Sequence, residues 1–276
     1  WTRPAIASVM TSLDVDVHGV YFIVRRAERA WTTDVLPQSL DTAATLLQQR
    51  GYRTMGFQAN GNLSAETGFA RGFTSYRFSL DAPANEITDA AIKELASTEL
   101  PFFAYVHYID PHAPYAPPER VRDAFGKRPD LTEVDERAAK DSMGYLKDFV
   151  YTAFGLQAKR NFAAISPEGK NELKLLYDAE CRFLDSELAR LLDEVERKHP
   201  NTLIVIMSDH GEEFWEHGSM GHATTLHAEQ VEVPLVIHGP GLSPKAVSDR
   251  VSTLDVVPTI VGYLGVGPHP LWQGRD

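Results

Sequence analysis

Three short apolar runs in this chain break abruptly into polar residues, and that repeated break narrows the fold more than any other feature. Residues 53–59 (RTMGFQA) stop at Asn60-Gly61, 101–109 (PFFAYVHYI) at Asp110-Pro111-His112, and 202–207 (TLIVIM) at Ser208-Asp209-His210. Such runs, rich in β-branched and aromatic residues and bounded by turn formers, read as strands. Helical patterns separate them. Residues 4–13 read as a short helix with Pro4 in its first turn. Residues 40–49 are amphipathic and stop at Gly51, and 87–95 read as another helix. Ser166-Pro167-Glu168 opens a long helix whose leucines, from Leu173 to Leu192, fall near a 3.6-residue period; Pro200-Asn201 ends it. VPLVIHG (233–239) is a further strand, and 253–264 a late helix. Strands alternating with helices predict an α/β fold with a largely parallel central sheet flanked by helices. Ligands of such sheets bind beyond the carboxyl ends of the strands, where the three polar breaks would gather.

Composition adds limits. The chain has 276 residues and a net charge of −11, so nothing in its charge suits a nucleic-acid partner, and an anionic substrate needs local positive charge or a metal. Cys181 is the only cysteine, which rules out an internal disulfide and leaves the redox compartment open. No apolar run approaches the ~18–20 residues of a membrane span. The sequence starts at Trp1, and a targeting segment upstream of it would not be visible, so cytoplasmic and extracytoplasmic locations both stay open. Residues 117–165 are polar and irregular, with weak helical pieces, and read as an insertion or lid.

The polar breaks carry the chemistry. Four of the ten histidines fall within IVIMSDHGEEFWEHGSMGHATTLH: His210, His217, His222 and His227. Asp209 and His210, side by side at a strand end, form a metal half-site of carboxylate oxygen and imidazole nitrogen. The competing explanation is an acidic turn with a solvated histidine, and the strand context and nearby His222 weigh against it. A zinc-protease arrangement fails, because no HExxH occurs and the later histidines recur every five residues. His107, Asp110 and His112 form a second cluster, or simply a proline-shaped loop. Thr2 precedes a helix; it is either an ordinary N-cap or a hydroxyl placed beside anion-attracting N–H groups.

Taken together these stretches resemble the sulfatase family of the alkaline phosphatase superfamily, over most of the chain and in the expected order. WTRPAIASVMTSL resembles the nucleophile segment, RGYRTMGFQAN the second βα segment, and FFAYVHYIDPHAPYAPP the substrate-histidine strand. LYDAECRFLDSELARLL precedes the metal strand in the usual place, and SDHGEEFWEHGSMGHATTLHAEQVEVPLVIHGPG is the most specific match. The resemblance implies an alkaline-phosphatase-like, sulfatase-like sandwich. It also implies one divalent metal ion (Mn, Ca, Mg or Zn) held by Asp209, His210 and Thr2. Thr2 takes the nucleophile position, and His112 and His222 contact the ester oxygens. Glu212 matches the motif without a role assigned to it. A second tightly held metal is not expected, since Asp110-Pro-His112 lacks the Asp-x-x-x-His spacing of two-zinc relatives.

Two departures shape the functional expectation. Thr2 stands where sulfatases carry the Cys or Ser that becomes formylglycine, and its β-methyl would turn oxidation into ketone formation. Threonine at this position belongs to phosphoryl-handling relatives, so the resemblance implies a metal-dependent hydrolase or transferase of sulfate or phosphate esters, with phosphoryl chemistry favoured. The motif's arginine is absent, with Ile6 in its place, which keeps open a non-catalytic protein that binds anion or metal. Relatives also start with a strand bearing Asp ligands and continue past QGRD. The expectation is therefore a single catalytic domain over 1–276, truncated at both ends, acting on a small-molecule, lipid or saccharide ester.

Overall fold

The computed structural model describes residues 1–276 apart from 22–24, 28, 29, 33, 100, 127–129, 145–163, 224 and 268. Helix α1 (Thr2–Thr11) and the single turn α2 (Val15–His18) lead into a small antiparallel pair, β1 (Arg25–Ala27) and β2 (Ala30–Thr32). Next come α3 (Ala43–Gln49), β3 (Arg53–Gln58), β4 (Ser75–Phe78), α4 (Ala84–Leu95) and β5 (Phe102–His107). Short helices α5 (Glu119–Arg122) and α6 (Glu133–Lys140) precede the long α7 (Pro167–Lys198). The chain continues with β6 (Ile204–Met207), a hairpin of β7 (Glu213–Phe214) and β8 (Met220–Gly221), α8 (Ala228–Val231), β9 (Leu235–His238) and α9 (Val256–Tyr263).

Strand β3 is central. Met55 and Phe57 are fully buried, and the strand pairs in parallel with β4 on one edge and β5 on the other. The register sets Gln58 opposite His107, so the carboxyl ends of β3 and β5 lie level. The connection from β4 to β5 runs through α4, and β3 and β4 are joined by two short 3-10 turns, Gly61–Leu63 and Ala65–Thr67. Strand β6 departs from the expected alternation by pairing antiparallel with β9, from Ile204 opposite His238 to Met207 opposite Leu235. The segment between them contains a hairpin and the four-residue α8 instead of a full crossover helix, so the chain returns in the opposite sense. Ile204 of β6 shares a core with Phe102, Ala104 and Val106 of β5, which brings the ends of these two strands together.

Local sequence explains the helix boundaries. Ser166 caps α7 by accepting from the Gly169 N–H at 3.0 Å, with Pro167 in the first turn. Thr42 and Thr45 make a reciprocal capping box at the start of α3. One face of α1, with Ile6, Ala7 and Met10, packs on Val257 and Val261 of α9. A third core joins Ala113 and Tyr115 to Leu173 and Leu176 of α7 and to Phe214 and Met220 of the hairpin. That core fixes both the 110–115 turn and the hairpin on one rigid helix.

Of the proposed insertion, 127–129 and 145–163 lie outside the described residues. The remainder lies on α7: Arg120 pairs with Glu187 and Arg122 with Glu172, each at 3.5 Å. Asp135 accepts from the Ser166 hydroxyl at 2.7 Å, so α6 is tied to the start of α7. Among the described residues no helix is long and apolar enough to cross a membrane.

Glu180 of α7 secures the 110–117 turn by accepting the Ala116 N–H at 2.5 Å, while its other oxygen is buried without a partner among the described residues. Burial, followed by the nearby Asp110 charge, pushes its carboxyl up to about 8 from 4.5. Between those two values the folded protein holds a proton that the unfolded chain has released. Stability is therefore full below about 4.5 and falls as pH rises through about 8. Thermal melts of Glu180→Gln across this range should show a flatter pH dependence than the wild type; parallel curves would contradict the assignment.

Candidate active site

The site forms where the first turn of α1 meets the end of β6. Trp1 occupies the N-cap position, so Thr2 is the first helical residue and its side chain does not cap the helix. The hydroxyl is instead drawn inward. Thr2 is 4% exposed, Asn60 Nδ2 donates to its Oγ1 at 3.4 Å, and His210 Nε2 lies 3.4 Å from the same oxygen. This removes the N-cap explanation for Thr2. Ile6 is spent in the core, while Arg3, buried in the same turn, donates to the Asn62 carbonyl at 3.1 Å.

Hydrogen bonds assign the histidine tautomers. His210 Nδ1 lies 2.9 Å from the Gly211 carbonyl and His112 Nδ1 lies 2.7 Å from the Ala113 carbonyl. A carbonyl only accepts, so each Nδ1 carries the proton and each Nε2 presents a lone pair when the ring is neutral. Burial pulls the His210 imidazole down to about 4, with Asp209 opposing, which keeps it neutral, as a metal ligand must be. His222 Nδ1 instead faces a carboxylate, Glu212 Oε1, at 2.9 Å. The three rings stand together, His222 lying 4.0 Å from His210 and 5.1 Å from His112 between centroids.

Gly211 allows this packing. A Cβ there would lie 2.0 Å from the Glu229 carbonyl oxygen, so the glycine answers a close backbone approach. The Gly211 N–H is in turn bonded to the Gln230 carbonyl at 2.9 Å.

Oxygen and nitrogen donors for a divalent ion are present. Asp209 Oδ2 is buried with no hydrogen-bond partner among the described residues, and it lies 3.6 Å from His210 Nε2. Neighbouring ligands around a cation, at about 2.0–2.2 Å each from it, stand at separations of this order. Carboxylate, neutral imidazole and hydroxyl together suit Zn²⁺, Mn²⁺ or Mg²⁺. Among the described residues no group of three or more His, Cys, Asp or Glu gathers as a metal site; the Asp209 carboxylate, the His210 ring and the Thr2 hydroxyl stand together here.

A family model described as Sulfatase matches residues 1–266. The chain belongs to the sulfatase family. It is 27% identical over 168 residues to the choline-sulfatase of Rhizobium meliloti, covering 60% of this chain and 32% of that protein. It is 29% identical over 196 residues to the multifunctional alkaline phosphatase superfamily protein PehA of Trinickia caryophylli, covering 64% and 36%. The chain thus spans about a third of the length of these curated relatives. The solved phosphonate monoester hydrolase of Agrobacterium radiobacter overlays 99% of this chain and 66% of its own, with a TM-score of 0.75 at 19% identity. That likeness shows the fold: an alkaline-phosphatase-like arrangement with a parallel sheet flanked by helices.

Thr2, Asp209, His210, His222 and His112, all expected from this sulfatase-family sequence, come together in one place. Two further residues, both noted in the sequence, make contacts that it does not reveal. Asn60 contacts Thr2, and its only signal is its place at the end of a strand. Glu212 holds His222, and nothing in its spacing reveals that. His217 points elsewhere, pairing with Glu229 at 3.1 Å and stacking on His227. A second hydroxyl–imidazole pair, Ser8 and His18 at 2.9 Å, is not a nucleophile and base. His18 Nδ1 accepts from the Val20 N–H, so its Nε2 carries the proton and donates to Ser8.

His210→Ala should lower metal affinity by about 10-fold or more, whereas His217→Ala should leave metal content near wild type. Elemental analysis after dialysis reads both, and equal losses would remove His210 from the ligand set.

Proposed function

We propose that the protein is a metal-dependent hydrolase or transferase of phosphate esters in which Thr2 is the nucleophile. The observation carrying this reading is the Thr2 hydroxyl: buried, unused as a helix cap, and held at 3.4 Å from His210 Nε2. Asp209, His210 and the Thr2 oxygen would hold one divalent ion (Mn, Ca, Mg or Zn), which when bound polarises a non-bridging oxygen and lowers the hydroxyl pKa.

The chain's own groups do the rest. Asn60 holds the Thr2 oxygen for in-line attack; the hydroxyl gives up its proton to solvent, and a new P–O bond forms to the oxygen as the bond to the leaving alkoxide breaks. His222 delivers a proton to that departing oxygen, and His112 faces the remaining ester oxygens. Water, or an acceptor alcohol, then attacks phosphorus and frees Thr2.

Phosphate is favoured over sulfate for a chemical reason. A formylglycine hydrate expels sulfate by elimination across its geminal diol, and threonine has no such route. Its ester must be cleared by a second attack on the central atom, which a phosphorus centre accepts more readily. The Agrobacterium radiobacter neighbour, a phosphonate monoester hydrolase, is in keeping with this.

The adjoining pocket bears on the alcohol portion. It has a volume of about 340 Å³ and its wall includes Trp1, Asp14, Tyr21 and Leu254 alongside His210 and His222. Its described lining residues include no lysine or arginine, which favours a neutral or cationic alcohol over a polyanionic saccharide.

Matched aryl phosphate, phosphodiester and sulfate substrates, assayed with Mn²⁺, Zn²⁺ and Ca²⁺, test the proposal. Phosphate or phosphodiester turnover should exceed sulfate turnover, and Thr2→Ala should lose about 10³-fold, equivalent to ~4 kcal/mol of barrier. Repeated sulfate turnover faster than either phosphate would overturn the role of Thr2. Metal binding without any turnover would favour a non-catalytic binding protein.

A further inference from the structure

Three imidazoles crowd the site, and only one of them is hydrogen-bonded through Nδ1 to a charged group. His112 and His210 each donate from Nδ1 to a neutral backbone carbonyl one residue on. His222, packed between them, donates from Nδ1 to Glu212 Oε1 at 2.9 Å. The pair is well shielded, with side-chain exposures of 11% for His222 and 7% for Glu212. The second carboxylate oxygen is also engaged: the Tyr115 hydroxyl donates to Glu212 Oε2 at 3.3 Å. Tyr115 is itself 3% exposed and packs against Tyr177 of α7 and Phe214 of the hairpin. A chain of contacts therefore runs from the rigid long helix through Tyr115 and Glu212 to one ring of His222.

Two consequences follow from hydrogen-bond chemistry. A carboxylate offers only acceptors, so His222 keeps its proton on Nδ1 and its Nε2 is the atom turned away from Glu212. Among the described residues no hydrogen bond engages that Nε2, and His222 lines the pocket next to the Thr2 oxygen's neighbour His210. A ring tied at one nitrogen and open at the other is directed: with Nδ1–H held by Glu212, Nε2 is the atom through which His222 can pass a proton to a group in the pocket.

We propose that Glu212 is a positioning residue: through its bond to Nδ1 it sets the tautomer and direction of His222, so that His222, and not His112, serves the leaving oxygen. The proposal rests on the phosphoryl-transfer reading above. Its competitor is a purely structural role, in which Glu212 only satisfies buried donors.

A leaving-group series separates the two. A nitrophenolate departs without a proton, whereas an alkoxide needs one. Glu212→Ala should lower kcat/KM for alkyl phosphates by about 10²–10⁴-fold, the usual worth of general acid help, and lower it far less for nitrophenyl phosphate. The plot of log kcat/KM against leaving-group pKa should steepen, and His222→Ala should give the same steep line. Glu212→Gln, which retains an oxygen acceptor for Nδ1–H, should restore most alkyl activity. A uniform loss across the series would make Glu212 merely structural. Steepening in His112→Ala but not in His222→Ala would give the role to His112.

Wild-type turnover that survives Thr2→Ala would instead mark failure of the underlying nucleophile assignment. Histidine ¹⁵N NMR gives a readout that needs no turnover. Neutral His222 should carry its proton on Nδ1 in the wild type and shift toward Nε2 in Glu212→Ala. An Nε2-protonated His222 in the wild type would overturn the proposal even in an inactive preparation.

Discussion

The structure depends on how α1 is seated. Its apolar face, with Ile6, Ala7 and Met10, packs on Val257 and Val261 of α9, and its end is fastened by Ser12, whose hydroxyl donates to the Leu254 carbonyl at 2.9 Å. With the helix held in this way, its first turn projects Thr2 toward the ends of β3 and β6. Asn60 arrives from β3 and His210 from β6. Burying a hydroxyl without partners would cost on the order of 1–3 kcal/mol. Those two contacts offset that cost and at the same time hold the oxygen in place. Packing remote from the site thus sets the position of the Thr2 oxygen, the proposed nucleophile.

The same logic extends to the histidines. Each ring is fixed through Nδ1 by a group on a backbone that is itself anchored: Ala113 in a turn packed on α7, Gly211 against the 229–230 backbone, and Glu212 through Tyr115. Fixing one nitrogen defines what the other can do, which is how second-contact groups tune a site. The Nδ1 partners nevertheless differ in kind: a backbone carbonyl for His112 and His210, a carboxylate for His222.

Much of this was legible in sequence, for identifiable reasons. Strand β3 is buried and β5 and β6 are half-buried against the same core, and that packing imposes an apolar pattern that cannot be hidden. Helix α7 announces itself through Ser166-Pro167 and Pro200, because capping is a local affair. Strand β4 is not visible: SYRF is an edge strand, half-buried or exposed, positioned by its pairing with β3 and by side-chain bonds to Glu94 and the Leu63 carbonyl. The antiparallel course of β9 was equally hidden, since strand direction depends on the whole connection. In the site, the strand-end carboxylate and imidazole were readable from their context. The Thr2–Asn60 contact, 58 residues apart in sequence, and the Glu212–His222 pair were not, because long-range contacts leave no periodic trace.

The central claim is that α1 places one particular oxygen, Thr2 Oγ1, as the atom that takes up the transferred group. Rapid quench of the intact protein with an aryl phosphate, followed by peptide mass spectrometry, tests it most directly. The account predicts a transient phosphoryl group on the peptide containing Thr2, localised to that threonine and decaying as free phosphate appears. Turnover with no adduct at Thr2, or an adduct on Ser8 or a histidine instead, would contradict it.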